Sequence, residues 1–345
     1  MRHASSTVRA PGAGAAKSGE KRREATQPAC RTAAGSAAFT RLAFVGLALL
    51  IAVFALARPL AAAPADKPVD KPVAVATISI LADFVRAVAG DVLVVESVVH
   101  VGGDPHTYAP VPSDARRLAR AAIVFRNGLG LERWLDKLVG AGTASRPVVT
   151  LTEGIASLRV ESGSYAGAPD PHAWMDPVLA LQYVGAVERS LAANFPRHAA
   201  AFAANATRYR AELAALDADI KATLAAVAPA RRQLVTTHDS FRYFSRRYGL
   251  TLVASIWGIS TETEPSAQEL ARIVEAIRSS AVPAVFAETT INPKLMKRIA
   301  ADAKVKLGAP LYGDSVGAPG SGADTYVGMM RANARAIARA LEDVR

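Results

Sequence analysis

From residue 72 onward, short apolar runs alternate with stretches in which apolar residues recur every three or four positions. The short runs predict buried strands and the spaced positions predict helices. The predicted strands are 73–80, 92–99, 123–125, 148–151, 233–237, 250–257, 284–288 and 309–312. The helices are one ending at Val88, one capped by Ser113, and others at 131–139, 239–247, 265–280, 293–302 and 322–344. This alternation predicts an α/β fold of mostly parallel sheets flanked by helices.

One stretch breaks the alternation. Residues 196–228 lack glycine and have helical spacing of apolar residues up to Pro229. At 1.5 Å per residue such a helix is roughly 45 Å long, which is more than one small domain needs. It is either a rigid connection between two lobes or an ordinary long surface helix. If it connects two lobes, the chain divides into an N-terminal α/β lobe at 66–195, a linking helix at 196–228 and a C-terminal α/β lobe at 229–345.

The first 65 residues have the pattern of an export signal. A basic segment is followed by the uncharged run Leu42–Ala57, which is short for a membrane span of about 20 residues. Ala63-Pro64-Ala65 then forms a small-residue cleavage motif. We therefore expect a signal peptide at 1–65 and a soluble periplasmic protein, with an uncleaved anchor helix as the alternative. Cys30 precedes the apolar run, so it does not occupy the position of a lipoprotein cysteine.

The formal charge of +11 first suggests a nucleic-acid partner, but most of it lies in the leader. Residues 1–65 hold nine of the 41 basic residues and two of the 30 acidic ones, which leaves only +4 for the rest. We therefore expect no nucleic-acid binding. The single cysteine excludes an internal disulfide and a cysteine-based zinc cluster.

Histidine is the residue type that carries candidate chemistry. The chain has His3, His100, His106, His172, His198 and His238. His100 ends a predicted strand and is interpreted as structural, and His198 is expected to face solvent on the long helix. His106 and His172 both stand in Asp-Pro-His tripeptides, in which proline fixes the backbone before the imidazole. His238 lies where a strand passes into a helix, and Asp239 beside it is expected to start that helix.

Asp314 follows the last predicted strand in the same way as these three histidines follow theirs. Ligands of open α/β sheets gather at the carboxyl ends of strands. We therefore expect His106, His172, His238 and Asp314 to converge between the lobes. Three imidazoles and one carboxylate complete a four-coordinate zinc site and leave no position for a catalytic water, which favours a carrier over a hydrolase. A hydrolase would need an open position and a base; Glu288 is the candidate, although we interpret it as supporting a ligand.

The order of motifs in this chain is similar to that of the metal-binding proteins of zinc and manganese ABC importers. The motifs are GGDPHTY, NGLGLERWL, DPHAWMDP, TTHDSFRYFSRRYGL, GISTETEPS, VFAETTINPK and LYGDSVG. The resemblance covers about residues 72–344. It implies two lobes joined by one long helix, and metal ligands at His106, His172, His238 and Asp314.

Differences from that family bear on the metal. Ala109 stands where many members have glutamate, the loop 161–169 lacks the histidines of zinc-specific members, and the disulfide of some zinc members is impossible here. Manganese-type relatives usually have glutamate at the position of His238. A third imidazole favours Zn²⁺ over Mn²⁺, and Zn²⁺ is also the stronger binder in the Irving–Williams order. We expect zinc, with manganese as the alternative.

The resemblance implies capture of the metal in the periplasm and its delivery to a membrane permease driven by a cytoplasmic ATPase. The chain has no P-loop and no apolar span of 20 residues, so both partners are expected to be other chains. We expect a monomer without enzymatic activity. A periplasmic zinc hydrolase and an adhesin-like surface protein are the other function classes that the sequence leaves open.

Overall fold

The computed structural model describes residues 71–139, 146–161 and 165–342. Pro68–Arg345 form one compact unit. The predicted signal peptide at 1–65 lies outside the described residues. Among the described residues, no helix is both long enough and apolar enough to cross a membrane.

Four parallel strands form the sheet of the first lobe, in the order β2-β1-β3-β4. They are β1 Val73–Ala76, β2 Val94–Ser97, β3 Ile123–Arg126 and β4 Val148–Thr150. In the register of the sheet, Ala74 of β1 pairs with Val95 on one side and Ile123 on the other. The central strand β1 is buried along most of its length, as expected for a parallel sheet with helices on both faces. The helices of this part are α1 Ser79–Ala89, α2 Pro112–Arg120 and α3 Arg133–Val139.

Two parallel strand pairs make the second lobe. The first pair is β5 Gln233–Thr236 with β6 Thr251–Ser255, and the second is β7 Ala284–Val285 with β8 Lys306–Leu307. The N–H of Phe286 donates to the carbonyl of Val235 at 2.9 Å and joins the two pairs. The accompanying helices are α6 Arg242–Tyr248, α7 Ala267–Ser279 and α8 Lys294–Ala303.

Three further helices, α4 Pro177–Asn194, α5 Ala199–Ala225 and α9 Tyr326–Glu342, complete the fold. The 27 residues of α5 give it a length of about 40 Å. Its buried residues recur at helical spacing, from Phe202 and Ala206 to Leu224. The helix packs against α1, α4, α6 and α9, so it contacts both lobes. The lobe boundaries at residues 195 and 229 stay a prediction.

Several predicted element boundaries are wrong, for local reasons. Ser113 does not cap α2: the helix begins at Pro112, and the carboxylate of Asp114 accepts the backbone N–H of Val111 at 2.9 Å. The first N–H groups of a helix have no partner within it, so proline, which lacks this N–H, is well suited to the first helical position, and the helix begins at Pro112.

The long helix is also shorter than predicted, because Pro196–His198 form a 3₁₀ turn before α5 begins. The strand predicted at 309–312 is reduced to a single parallel bridge between Leu311 and Glu288, and β8 lies earlier in the chain. Pro310 has no N–H to extend a ladder there.

Candidate metal centre

The four predicted ligands each follow the carboxyl end of a strand. His106 lies in the loop after β2, His172 in the loop after β4, His238 directly after β5, and Asp314 in the loop after β8. His172 and His238 are completely buried, and His106 is 8% exposed. The structure therefore brings two residues of the first lobe and two of the second to one buried point.

The ligand atoms face each other at short distances. The Nε2 atom of His172 lies 3.3 Å from Nε2 of His106 and 3.3 Å from Nε2 of His238. The carboxylate oxygens of Asp314 lie 3.1 to 3.5 Å from these three nitrogens. All four ligand atoms lie within 4.8 Å of one another. In a tetrahedron with zinc–nitrogen bonds of about 2.0–2.1 Å, neighbouring ligand atoms are about 3.3–3.4 Å apart, so the spacing fits one four-coordinate ion.

Asp170 orients His172. Its Oδ1 atom accepts the backbone N–H of His172 at 3.0 Å and lies 2.8 Å from Nδ1 of the same imidazole. A carboxylate that takes the Nδ1 proton leaves the lone pair of Nε2 for a metal and fixes the plane of the ring. Sequence reasoning missed this role, although the aspartate of the Asp-Pro-His tripeptide was its signal.

Glu288, three residues after β7, holds His238 in a similar way. Its Oε1 atom accepts the backbone N–H of His238 at 2.8 Å, and Oε2 lies 2.9 Å from Nδ1. The hydroxyl of Ser240 donates to Oε2 at 2.9 Å. The glutamate is buried and faces the back of the imidazole, as the interpretation of a supporting carboxylate requires.

The His106 loop is fixed by its own aspartate and by Trp134. Oδ1 of Asp104 accepts the N–H of His106 at 2.8 Å, and the indole N–H of Trp134 donates to the carbonyl of Pro105 at 3.1 Å. His106 also lines a cavity of about 130 Å³ together with Arg133 and Glu262. This ligand therefore lies at the side of the site that faces solvent.

Asp314 is held through its neighbours. The indole N–H of Trp174 donates to the carbonyl of Gly313 at 2.9 Å. A side chain at Gly313 would collide with the carboxylate of Glu288 and reach within 2.9 Å of the hydroxyl of Ser240, so glycine is required beside this ligand. Apart from the three imidazoles, neither carboxylate oxygen of Asp314 has a hydrogen-bond partner among the described residues, although both are buried. Such buried acceptors fit a cation at the centre of the cluster.

The charges of the cluster are coupled. Burial lowers the pKa of His238, but the carboxylates of Glu288 and Asp314 outweigh it and hold that pKa well above its usual value. Burial raises the pKa of Asp314, and the imidazoles of His238 and His106 bring it well below its usual value. In the metal-free protein near neutral pH, His238 is thus protonated and Asp314 ionised, and a bound cation would replace the proton.

The remaining candidates lie elsewhere. His100 and His198 are exposed, as expected for His198. Asp239 does not start α6, which begins three residues later at Arg242 after Phe241. Its carboxyl lies 3.7 Å from Nε of Arg242, and burial together with the charge of Asp170 raises its pKa to about 7.

The chain is similar to known metal-binding proteins of ABC transporters over most of its length. The family described as "Zinc-uptake complex component A periplasmic" matches residues 74–340. The iron-binding protein YfeA of Yersinia pestis is 33% identical, over 77% of this chain and 85% of its own. The manganese ABC transporter substrate-binding lipoprotein PsaA of Streptococcus pneumoniae is 31% identical, over 79% and 89%. The structure of the periplasmic zinc-binding protein TroA from Treponema pallidum has a TM-score of 0.75 at 32% identity and covers 79% of this chain and 100% of its own.

Proposed function

Since this chain belongs to the family of periplasmic component A of zinc-uptake complexes, we propose that it captures Zn²⁺ and delivers it to a membrane permease. The family and its relatives identify the chain as the metal-binding component of an ABC transporter. The relatives are named for binding zinc, manganese or iron. The proposal of zinc therefore depends on the ligand set and geometry of this chain's own site.

The ligands in this proposal are His106, His172, His238 and Asp314. The observation that carries it is the convergence of three Nε2 atoms on the buried carboxylate of Asp314, whose oxygens have no other hydrogen-bond partner among the described residues. Without a cation, the charge of this buried carboxylate would be balanced by a proton on His238, whose Nε2 atom lies 3.1 Å from Oδ2, and a bound metal ion would take the place of that proton. The orientation of His172 by Asp170 and of His238 by Glu288 supports the same assignment.

Zinc is favoured by the donor set and by the spacing. Three imidazoles and one carboxylate suit Zn²⁺, whereas manganese favours oxygen-rich sites of higher coordination number. The Nε2 separations of 3.3 Å are those of a tetrahedron with zinc-length bonds. Manganese, the alternative, would need further oxygen ligands around the same three histidines.

The site supports capture rather than hydrolysis. Four protein ligands fill a tetrahedral ion, which leaves no coordinated water to act as a nucleophile. Glu288, the base that a hydrolase would need, has one oxygen at the N–H of His238 and the other at Nδ1 of the same residue and the hydroxyl of Ser240. The family itself is a transport component.

A titration of the metal-free mature protein with Zn²⁺ and Mn²⁺, each against a competing chelator, tests the metal. We expect one zinc per chain with a nanomolar or lower dissociation constant, and manganese at least about 1,000-fold weaker, in keeping with the Irving–Williams order and the nitrogen-rich donor set. Manganese binding within about tenfold of zinc would contradict zinc as the cargo. A second tight zinc per chain would contradict the single site.

In the proposed cycle, a monomer loads in the periplasm and docks on a permease driven by a separate ATPase. Relatives such as PsaA are named lipoproteins, whereas Cys30 of this chain precedes the apolar run. We therefore infer a soluble mature protein that begins at Asp66. The intact mass of the protein from the periplasmic fraction checks this: the mass of residues 66–345 supports it, and a lipid-modified or uncleaved chain contradicts it.

A further inference from the structure

The two lobes are joined by hydrogen bonds on two sides of the metal site. On the inner side, the indole N–H of Trp174 donates to the carbonyl of Gly313 in a fully buried contact. On the outer side, the hydroxyl of Thr261 donates to Oδ2 of Asp104 at 2.5 Å, and both residues are only partly buried. The outer contact is the more accessible of these two, and the N–H of Gly102, in the same loop as Asp104, adds a partly buried contact to the hydroxyl of Ser315 at 2.8 Å.

Asp104 connects this outer contact to a ligand. Its Oδ1 atom accepts the backbone N–H of His106, and its Oδ2 atom accepts the hydroxyls of Thr261, from the second lobe, and of Thr107, from the same loop, the latter at 3.0 Å. One carboxylate therefore ties the His106 loop to the opposite lobe. The bond to Thr107 is confined to the first lobe.

Thr261 lies between two residues that form part of the wall of the solvent-facing cavity beside His106. Its neighbours Ser260 and Glu262 line this cavity of about 130 Å³, and the N–H of Glu262 donates to the hydroxyl of Ser260 at 3.3 Å. The segment is thus a small turn of the second lobe that lies against the first lobe next to His106. When the Asp104–Thr261 bond breaks, this wall is free to move away from the metal ligand that lies nearest to solvent.

We propose that the Asp104–Thr261 hydrogen bond is a closure latch that sets the rate at which the bound metal leaves the site. The latch deepens the proposed function, because it acts on the same metal site. Thr261 is a positioning residue: it does not touch the metal, and it acts through Asp104 on the lobe closure that covers His106. The bond joins two lobes, so it is formed only when they are closed around the ligands.

The test is zinc release from the loaded mature protein, measured by stopped-flow mixing with excess chelating dye. Thr261→Val removes the hydroxyl and keeps the shape of the side chain. It should accelerate zinc release about 5- to 30-fold, as expected for the loss of one hydrogen bond to a partly exposed carboxylate. The rate of zinc association and the thermal midpoint of the metal-free protein should stay close to those of the parent.

Two matched variants separate the effect of the bond between the lobes from that of a bond within the His106 loop. Thr107→Val removes a hydrogen bond to the same Asp104 oxygen from within the first lobe, and it should leave zinc release within about twofold of the parent. Thr261→Ser keeps the donor and should restore slow release. If Thr107→Val accelerated release as much as Thr261→Val, Asp104 would only order its own loop and the latch would be wrong.

Failure of the latch and failure of the proposed function are distinguishable. If the parent binds zinc and Thr261→Val releases it at the parent rate, the latch is refuted while the metal site stands. If the parent protein binds no zinc at all in the equilibrium titration, the proposed function fails first. A lower thermal midpoint of metal-free Thr261→Val would indicate a general structural role and would also contradict the latch.

Discussion

Nδ1 of His172 lies 2.8 Å from Oδ1 of Asp170, and both side chains are completely buried. The carboxylate thus sets the direction in which Nε2 faces the other ligands. Asp170→Asn keeps the shape and an acceptor oxygen but removes the charge. We expect zinc affinity to fall about tenfold, the lower end of the effect of losing a partner that orients a metal-bound histidine.

Asp176→Asn is the control for that variant. Asp176 lies four residues after His172 and accepts the N–H of Val178 at 2.8 Å as the N-cap of α4. Asparagine also caps helices well, so this variant should lose less than about 1 kcal/mol of unfolding free energy, from the charge that faces Arg247 at 3.4 Å, and leave zinc affinity unchanged. Chelator competition gives the affinities and urea denaturation the stabilities. Equal affinities of the Asp170→Asn variant and the parent would contradict the orienting role.

Removal of any one ligand should weaken zinc binding strongly. The variants are His106→Ala, His172→Ala, His238→Ala and Asp314→Ala. Each replaces a protein ligand by water, and we expect a loss of several kcal/mol out of the roughly 10–16 kcal/mol typical of structural zinc sites. His198→Ala, an exposed histidine outside the cluster, should bind zinc as the parent does. A His238→Ala variant of parental affinity would show that the second lobe does not supply a nitrogen ligand.

Zinc affinity should fall as the pH falls, because protons compete with zinc for the histidine ligands. The pKa of His238 is held well above its usual value, so zinc must displace its proton near pH 7. Asp314, with a pKa well below its usual value, stays ionised and releases none. All three imidazoles must be neutral to bind zinc, so the slope should rise from about one proton per zinc near pH 7 towards a limit of three as the pH falls.

Zinc titrations against a chelator at several pH values, corrected for the chelator's own protonation, measure this slope. An affinity that is constant between pH 7 and pH 5 would rule out histidine ligands. A slope that never exceeds two would favour a site with two histidines and two carboxylates, which is the manganese-type alternative.

Asp217 of the long helix α5 contributes stability that depends on pH. Burial raises its pKa, but hydrogen bonds from Arg247 and Lys221 outweigh this and lower the pKa to about 2. A folded pKa below the unfolded value stabilises the protein above the unfolded value of about 3.9, and the contribution disappears as the pH falls through about 2. Asp217→Asn should therefore cost about 2 kcal/mol at pH 7 and progressively less below pH 4.

Asp219→Asn on the same helix is the matched control. Asp219 pairs with Arg331 in an exposed contact, and its loss should cost less than about 1 kcal/mol. Urea denaturation of both variants and the parent between pH 7 and pH 3 measures the difference. Equal costs for the two variants would show that the Asp217 cluster does not join α5 to α6 as the contacts indicate.

The sequence was sufficient to predict the α/β class, the long helix and the convergence of four side chains, whose role as metal ligands stays a prediction. The reason is physical: residues that directly follow parallel strands all lie at the same end of the sheet, the end formed by the carboxyl ends of its strands. His238 after β5 shows this most clearly. Sequence reasoning could therefore name His106, His172, His238 and Asp314 without coordinates.

The supporting contacts were not predictable in the same way. Asp239 has a residue type that suits a helix start, but the chain turns for three more residues before α6 begins at Arg242. The bond between Thr261 and Asp104 joins positions 157 residues apart, and nothing in either local pattern indicates the partner. Contacts of this kind depend on how the lobes pack, which periodicity and motif spacing do not specify.

The most direct test of the central claim is anomalous difference density from crystals of the zinc-loaded mature protein, recorded on both sides of the zinc absorption edge. We predict one strong peak per chain. It should lie within about 2.0–2.2 Å of Nε2 of the three histidines His106, His172 and His238, and of one carboxylate oxygen of Asp314. A peak bound by other residues, or no peak at these four in fully loaded crystals, would contradict the account.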